Sequence, residues 1–321
     1  MSPLSRRHFL AAIGTVAAGA SLRPIRLRAA APAFKLSVLT DEISQDFAHA
    51  CEVAAKEFGC SHVELRAMHG TNVMQWDQHD IGEALSVLKR FNLDVSEIAS
   101  PIFKVDWPGA PRSRFRPKGP EFGADFTQQQ QDDLIDRGIE LAKTFKTPYV
   151  RVFDFWRLDD QAPYREAMDD RLRNAAIRAG RKGVTLNLEN ELDCNTATGA
   201  EAARLLNAVT EKSLMLNWDP GNATARGEKA YPDGYSKLPK NRIAHVHCKD
   251  AAPNASGSGT DWACMGQGIV DWVGQFKALK DAGYHGAVSL ETHWHGGHTP
   301  EEASRLSMAG MKALLQRAGA L

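Results

Sequence analysis

Eight short runs rich in apolar and β-branched residues recur along this chain, with amphipathic stretches between them; no other feature constrains the fold as strongly. The runs are "KLSVLTDE" (35–42), "HVELR" (62–66), "LDVSEIAS" (93–100), "PYVRVFDF" (148–155), "GVTLNLEN" (183–190), "SLMLNWDP" (213–220), "RIAHVHCKD" (242–250) and "GAVSLETHW" (286–294). Between them, Phe47, Ala50, Cys51, Ala54, Ala55 and Phe58 fall at helical spacing. Leu134, Ile135, Ile139, Ala142 and Phe145 do the same, as do Trp272, Phe276 and Leu279. Gly59, Gly180, Gly183 and Gly283 mark turns just ahead of the next strand. Strand then helix, eight times over residues 34–321, predicts a single α/β domain with the (β/α)8 TIM-barrel architecture. A doubly wound open sheet is the competing arrangement, but no GxGxxG follows the first strand.

Two strand-to-helix connections are long: residues 101–126, with five prolines, and residues 251–268, "AAPNASGSGTDWACMGQG". In a barrel both lie on the C-terminal face, where the chemistry is done, and long structured loops there often act as lids. The first carries Arg112, Arg114, Arg116 and Lys118, an anion-binding set or, more blandly, solvated surface charge.

The first 33 residues are a different material. Arg6 and Arg7 precede a small-residue apolar run from Phe9 to Ala20, and Ala29, Ala31 and Ala33 offer a cleavage site. This resembles a twin-arginine export signal and predicts a periplasmic or secreted protein with no stable membrane anchor after cleavage. That segment holds five arginines and no acid, so its loss leaves 34 basic against 39 acidic residues, a net charge of −5. An acidic surface argues against a nucleic-acid partner, whose phosphates demand basic residues. The five cysteines (51, 60, 194, 248, 264) contain no CxxC and read as buried free thiols.

Polar residues cluster where the predicted strands end on the C-terminal side: Glu64 and Arg66 on the second, Glu189 on the fifth, Asp219 on the sixth, His245, His247 and Lys249 on the seventh, and Glu291 on the eighth. A TIM-barrel interior is ordinarily packed with branched apolar side chains, and an unpaired carboxylate there is costly. Acids converging on one rim therefore need a cation or shared protons. One histidine among three carboxylates suits Mn²⁺, Mg²⁺ or Co²⁺ better than structural Zn²⁺, which prefers thiolates and several imidazoles. Residues i and i+2 of a strand share a face, so parity puts His245 and His247 together without choosing between them. Position in a barrel does choose, because His247 is two residues nearer the working rim.

Here the chain resembles the xylose isomerase-like barrels of sugar and sugar-phosphate isomerases and epimerases, including the D-tagatose 3-epimerase-like enzymes. The likeness spans the mature chain and is carried by Glu189, Asp219, the second histidine of "HVH", Glu291, "GQGIVDW" (266–272), "ALKDAGYHGAVSLE" (278–291) and "VELR" (63–66). It implies one divalent metal ion, Mn²⁺ ahead of Mg²⁺, Co²⁺ or Zn²⁺, held by Glu189, Asp219, His247 and Glu291. It also implies Glu189 and Glu291 as the paired catalytic bases of a proton abstraction next to a carbonyl, through a metal-stabilised enediolate. Glu64, Arg66, Asn222, Lys249 and His293 are the expected substrate-binding residues, and Trp156 and Trp294 possible stacking partners for a sugar ring. Ketose 3-epimerases place a histidine three residues after the strand-six aspartate. This chain has Asn222 there, which puts that particular reaction in doubt.

The leading expectation is thus a metal-dependent sugar isomerase or epimerase acting on a small carbohydrate, with self-association into a homo-oligomer left open. A lyase or glycoside-cleaving enzyme on an oxidised (keto) sugar would share the metal and the enolising base. A non-catalytic sugar-binding barrel is the alternative of a different class. Endonuclease-IV-like cleavage would need many more histidines at the ends of early strands than His49, His62 and His69 supply.

Overall fold

The computed structural model describes residues 32–116, 118–119 and 125–321; the segment 1–33, expected from its sequence to be an export signal, lies outside the described residues except for its last two positions. Eight parallel strands form the barrel: β1 (Lys35–Val38), β2 (His62–Leu65), β3 (Asp94–Ile102), β4 (Tyr149–Val152), β5 (Thr185–Glu189), β6 (Leu214–Trp218), β7 (Ile243–Cys248) and β8 (Ala287–Leu290). Each pairs with its sequence neighbour from β2 to β8, β8 pairs with β1, and a parallel bridge between Leu39 and Glu64 brings β1 to β2. The helices after them are α1 (Phe47–Glu52), α2 (Gln78–Phe91), α3 (Gln131–Thr144), α4 (Arg165–Gly180), α5 (Gly199–Ala208), α6 (Pro220–Ala225), α7 (Trp272–Asp281) and α8 (Pro300–Arg317). The predicted (β/α)8 barrel is therefore the fold. Among the described residues no helix is long and apolar enough to cross a membrane.

Strand parity sorts the side chains. Val63, Leu65, Val150, Val152, Leu186, Leu188, Leu216, Trp218, Val246, Cys248, Val288 and Leu290 belong to the apolar layer packed with the helices, and the five cysteines are buried and free. The other parity fills the lumen, joined in β3 by both Ser96 and Glu97 where the register slips against β2, and there the expectation of a branched apolar interior fails. Ser37, Glu64, Ser96, Glu97, Arg151, Asn187, Glu189, Asn217, His245, His247 and Ser289 are all buried. Mutual hydrogen bonding makes this tolerable: Asn187 Nδ2 donates to Glu97 Oε1 at 2.6 Å, Asn217 Nδ2 to Glu97 Oε2 at 3.2 Å, and the hydroxyls of Ser37 and Ser96 meet at 2.8 Å.

The described residues of both long connections make defined contacts. In the first, Phe103 and Trp107 pack on Phe155 with ring centroids 5.1 and 4.7 Å away, and Gln131 Oε1 accepts from the Phe103 amide at 2.7 Å. Arg114 pairs with Asp159, Arg116 with Asp106 and Lys104 with Glu191, so these cations of the loop have carboxylate partners. The second folds into an antiparallel hairpin, Asp250–Pro253 against Thr260–Ala263. Its root is Asp250, whose carboxylate accepts from the amides of Ala251, Gly266, Gly268 and Val270 at 3.0–3.2 Å. A Cβ at Gly268 would collide with that carboxylate, which explains the second glycine of "GQG". Replacing Asp250 by Ala removes a charged acceptor shared by four amides and should destabilise the protein by about 2–3 kcal/mol. The check is a lower midpoint in chemical denaturation together with faster amide exchange at residues 266–270; unchanged exchange there would contradict the assignment.

Candidate metal centre and active site

The strand ends place the acids, and local chemistry orients them. Asp219 follows β6 and caps α6: its Oδ1 accepts the Asn222 amide at 2.7 Å, so "DPGN" opens a helix with proline in its first turn. Asn190 holds the same aspartate from behind, its Oδ1 accepting the Asp219 amide at 2.7 Å and its Nδ2 donating to the Asp219 carbonyl at 2.8 Å. The aspartate's Oδ2 is thereby left aimed elsewhere, with no aligned hydrogen bond. Gly221 is required because a Cβ there would strike the Lys249 side chain and carbonyl.

His247 lies at the focus. Its Nδ1 is 3.1 Å from Glu189 Oε1, 3.2 Å from Glu291 Oε2 and 4.0 Å from Asp219 Oδ2. On its other side Nε2 is 3.0 Å from Glu64 Oε1, an arrangement in which an outer carboxylate fixes the imidazole so that Nδ1 points at the centre. His245 lies one residue pair deeper, with Nε2 3.2 Å from Glu64 Oε2 and its ring 5.4 Å from that of His247. The structure therefore brings Glu189, Asp219, His247 and Glu291 together, with one ligand atom from each within 4.8 Å of the others.

Three fixed cations surround this group. Arg66 reaches Asp41 Oδ2 at 2.8 Å, Glu42 Oε1 at 2.7 Å and Glu291 Oε1 at 3.0 Å. Arg151 Nη1 is 3.0 Å from Glu189 Oε2 and 3.7 Å from Glu291 Oε1, while its Nε and Nη2 donate to the carbonyls of Ser100 and Ala99. Lys249, 1% exposed, sets its Nζ 3.1 Å from Asp219 Oδ2 and 2.5 Å from Glu291 Oε2, with neither contact aligned as a hydrogen bond. Burial opposes ionisation of every acid here, and the partners decide which acids overcome it. Beside His247 and Arg151, Glu189 is held down at about 2. Glu291, beside Lys249 and His247, and Glu64, beside both histidines, also lie well below the usual range. Burial wins at Asp219 and Glu97, each pushed up to about 7. Burial disfavours the His247 imidazolium, but Glu64, Glu291 and Glu189 outweigh it and hold the ring well above its ordinary value.

A divalent cation fits this donor set. Glu189 Oε2, Asp219 Oδ2 and Glu291 Oε2 are buried oxygens that accept no aligned hydrogen bond, although each belongs to a carboxylate facing the same small volume. Three oxygen donors and one imidazole nitrogen match a hard or borderline divalent ion.

The expected substrate residues divide. Glu64 and Arg66 are engaged with the histidines and with Asp41, Glu42 and Glu291; Lys249 pairs with Asp219 and Glu291. Asn222 Nδ2 donates to Glu189 Oε1 at 3.3 Å. His293, in a left-handed backbone conformation, turns its Nε2 to 3.4 Å from Glu42 Oε1 and 3.5 Å from Glu291 Oε1. His295 and His298 are exposed. Trp156 packs with Phe153 and Cys194, and Trp294 lies against the His298 ring, so neither expected stacking residue sits over the centre. That position belongs to Trp262 of the hairpin, which sequence reasoning missed: Lys249 Nζ is 5.1 Å from its ring centroid and the His293 ring 5.7 Å away. Trp262, His293, Arg66, Glu42 and Gln45 line a cavity of about 460 Å³ at the mouth. Arg151, Glu97 and Glu42 were also missed. Arg151 carried a usable signal, since it is a lone charge in an apolar strand, as Glu64 is.

Comparisons with known proteins agree with this architecture. Among curated proteins, the inosose dehydratase of Geobacillus thermodenitrificans is 27% identical over 137 residues, a match covering 38% of this chain and only 45% of that relative. A D-allulose 3-epimerase from a Methylomonas species, solved with D-allulose, superposes with a TM-score of 0.64 at 16% identity over 89% of this chain and 98% of its own. A Mycobacterium smegmatis barrel solved with magnesium gives a TM-score of 0.63 at 17% identity, over 90% of this chain and 97% of its own. Those two likenesses establish the fold. Residues 53–314 match the family model described as xylose isomerase-like TIM barrel, so the chain belongs to that family.

Proposed function

We propose that this protein is a divalent-metal-dependent isomerase or epimerase of a sugar or sugar derivative, working by abstraction of a carbon-bound proton next to a carbonyl. The observation that carries the reading is the convergence of the Glu189, Asp219 and Glu291 carboxylates on the Nδ1 side of His247, where Asp219 Oδ2 and Glu291 Oε2 accept no aligned hydrogen bond. The ion they would hold, with Mn²⁺ preferred for an oxygen-rich site, supplies Lewis-acid polarisation of the substrate carbonyl. Everything else falls to the chain. Glu189 and Glu291, kept ionised by Arg151, His247 and Lys249, are ready to accept a proton from carbon. Arg66 and Arg151 restrain the two carboxylates, so their orientation is set before substrate arrives. Lys249 and Trp262 roof the centre beside the cavity at the mouth, where a substrate would enter. The sequence signal for export extends the proposal to a periplasmic or secreted site of action on a small carbohydrate.

Elimination is the second reading, favoured by one specific contact. The Lys249 ammonium, 2.5 Å from Glu291, is placed to protonate a departing hydroxyl or alkoxide after the same first step, as a dehydratase or glycoside lyase requires.

Solvent exchange tests the shared step. With Mn²⁺ and a panel of ketoses, aldoses and keto-glycosides in D₂O, NMR should detect deuterium at one substrate carbon, with inverted or isomerised product for the leading reading and a released fragment for the second. Glu189→Gln and Glu291→Gln should each lower exchange at least about 10²-fold. Absence of exchange on every substrate would leave a sugar-binding barrel.

Metal affinity should depend on pH. Binding must displace the proton held by His247 and any proton on Asp219, whose carboxyl is pushed up to about 7. Affinity for Mn²⁺ therefore falls as pH drops through about 7, and calorimetry in buffers of different ionisation enthalpy should record proton release. Chelation should abolish exchange and added Mn²⁺ restore it; an affinity flat from pH 5.5 to about 8 would refute this ligand set.

A further inference from the structure

The barrel face opposite the reaction centre carries a cavity of about 710 Å³ around the N-terminal ends of the strands. Lys35, His62 and Asp94 are the first residues of β1, β2 and β3, while Lys146, Lys240 and His285 stand two or three residues ahead of β4, β7 and β8. All six line the cavity, so basic side chains approach it from five places round the ring. Three of those groups are lysines, against the single lining carboxylate of Asp94. The Lys240 ammonium is spent on the carbonyls of Tyr235, Ser236 and Leu238 and contributes only its charge. The ammonium groups of Lys35 and Lys146, both exposed, have no ion-pair or hydrogen-bond partner among the described residues. His62 stands beside Lys35: burial, and then the Lys35 charge, push its imidazole below the ordinary value. Its Nδ1 meets Ser61 Oγ at 2.8 Å, which leaves Nε2 for another partner.

At its inner end the cavity is lined by His245, which is fully buried. The Nε2 of that ring lies 3.2 Å from Glu64 Oε2 and is the donor toward this carboxylate, so Nδ1 is left an acceptor. Among the described residues nothing donates to it. A buried acceptor without a donor is unfavourable, and a ligand hydroxyl would satisfy it. Glu97, the next acid inward, is held by Asn187 and Asn217 and does not line the cavity. Ammonium groups round a concave mouth, with a hydroxyl acceptor deeper in, suit a small phosphorylated compound. The lysines give charge-assisted bonds to phosphate oxygens, and a hydroxyl points inward. We propose that the N-terminal mouth of the barrel is a binding site for a small phosphate-bearing ligand, its phosphate between the Lys35–His62 and Lys146 sides and its hydroxyl directed to His245. Hydrogen phosphate, with its own P–OH, and the phosphate ester of a short polyol share this chemistry. The site stands independently of the reaction assigned to the other face.

Calorimetry on the full, Mg²⁺-loaded chain reads the site directly, with inorganic phosphate and glycerol 3-phosphate as the two titrants. At least one of them should bind, and its affinity should fall as NaCl is raised from about 0.05 M to about 0.5 M. Lys35→Gln with Lys146→Gln should together weaken that binding at least about tenfold, whereas Lys35→Arg with Lys146→Arg should retain most of it. Both lysines are exposed and keep their aliphatic stems' space in these variants, so folding is not at stake. Mn²⁺ affinity should be the same in all of them, which separates this site from the metal centre. Tighter binding of glycerol 3-phosphate would identify a phosphate ester as the occupant, and tighter binding of phosphate the free ion. The proposal is overturned if neither titrant binds. It is equally overturned if the glutamine pair binds as the parent chain does, since the phosphate would then lie on the ion at the other face or on other basic residues.

Discussion

Carboxylates gathered in a closed barrel repel one another, and the structure depends on the cations that hold them. Asp41, Glu42, Glu64, Glu97, Glu189, Asp219 and Glu291 crowd the lumen and its rim, against only Arg66, Arg151 and Lys249 as permanent positive charges. Burying such groups unpaired would cost several kcal/mol each. The protein meets the deficit in three ways. Two arginines each bridge more than one acid, His247 carries charge among Glu64, Glu189 and Glu291, and Glu97 and Asp219 sit close enough to neutral pH to take up protons. Negative charge still exceeds positive, and the cluster of Glu189, Asp219, His247 and Glu291 that results has the donors to hold a metal ion.

The same constraint explains why the lumen is polar all the way down. His247 is steered by Glu64, Glu64 also meets His245, and below them Glu97 is bracketed by Asn187 and Asn217. Glu64 holds both histidines and the two asparagines hold Glu97 beneath them, so the histidine facing the rim is fixed by hydrogen bonds rather than by packed hydrocarbon. Hydrophobic packing is displaced to the shell between strands and helices, where the opposite parity of every strand supplies Val, Leu and Ile. The hairpin after β7 completes the site from outside. Asp250 anchors its root through four amides, and its far strand delivers Trp262 over Lys249 and His293.

Much of this was legible in the sequence. The alternation of strand and helix specified the barrel, and distance from the strand end gathered Glu64, Arg66, Glu189, Asp219, His247, Lys249 and Glu291 on one rim and separated His247 from His245; the family resemblance drew Glu189, Asp219, His247 and Glu291 out of that cluster as a ligand set. Those inferences work because strand periodicity is local and the rim of a barrel is always the C-terminal one. Arg151 was recoverable by the same parity rule, had a lone charge in an apolar strand been followed as closely there as at Glu64; Glu97 was not, because the register of β3 slips against β2 between Val95 and Glu97. Trp156 and Trp294 were poor guesses for a roof over the centre because a loop's course has no period to read.

What the sequence by itself determined is the architecture and the chemical types on its working rim. Only the tertiary structure decided who meets whom. Arg66 and Glu291 are 225 residues apart and touch because β1 joins β2 and β8 in a closed ring, while Arg151 reaches Glu189 only through the stagger between neighbouring strands. Trp262 covers the centre because a carboxylate twelve residues earlier ties down both ends of its hairpin. Period and parity say which way a side chain points. The closure and shear of the barrel, which no local pattern encodes, say what it finds there.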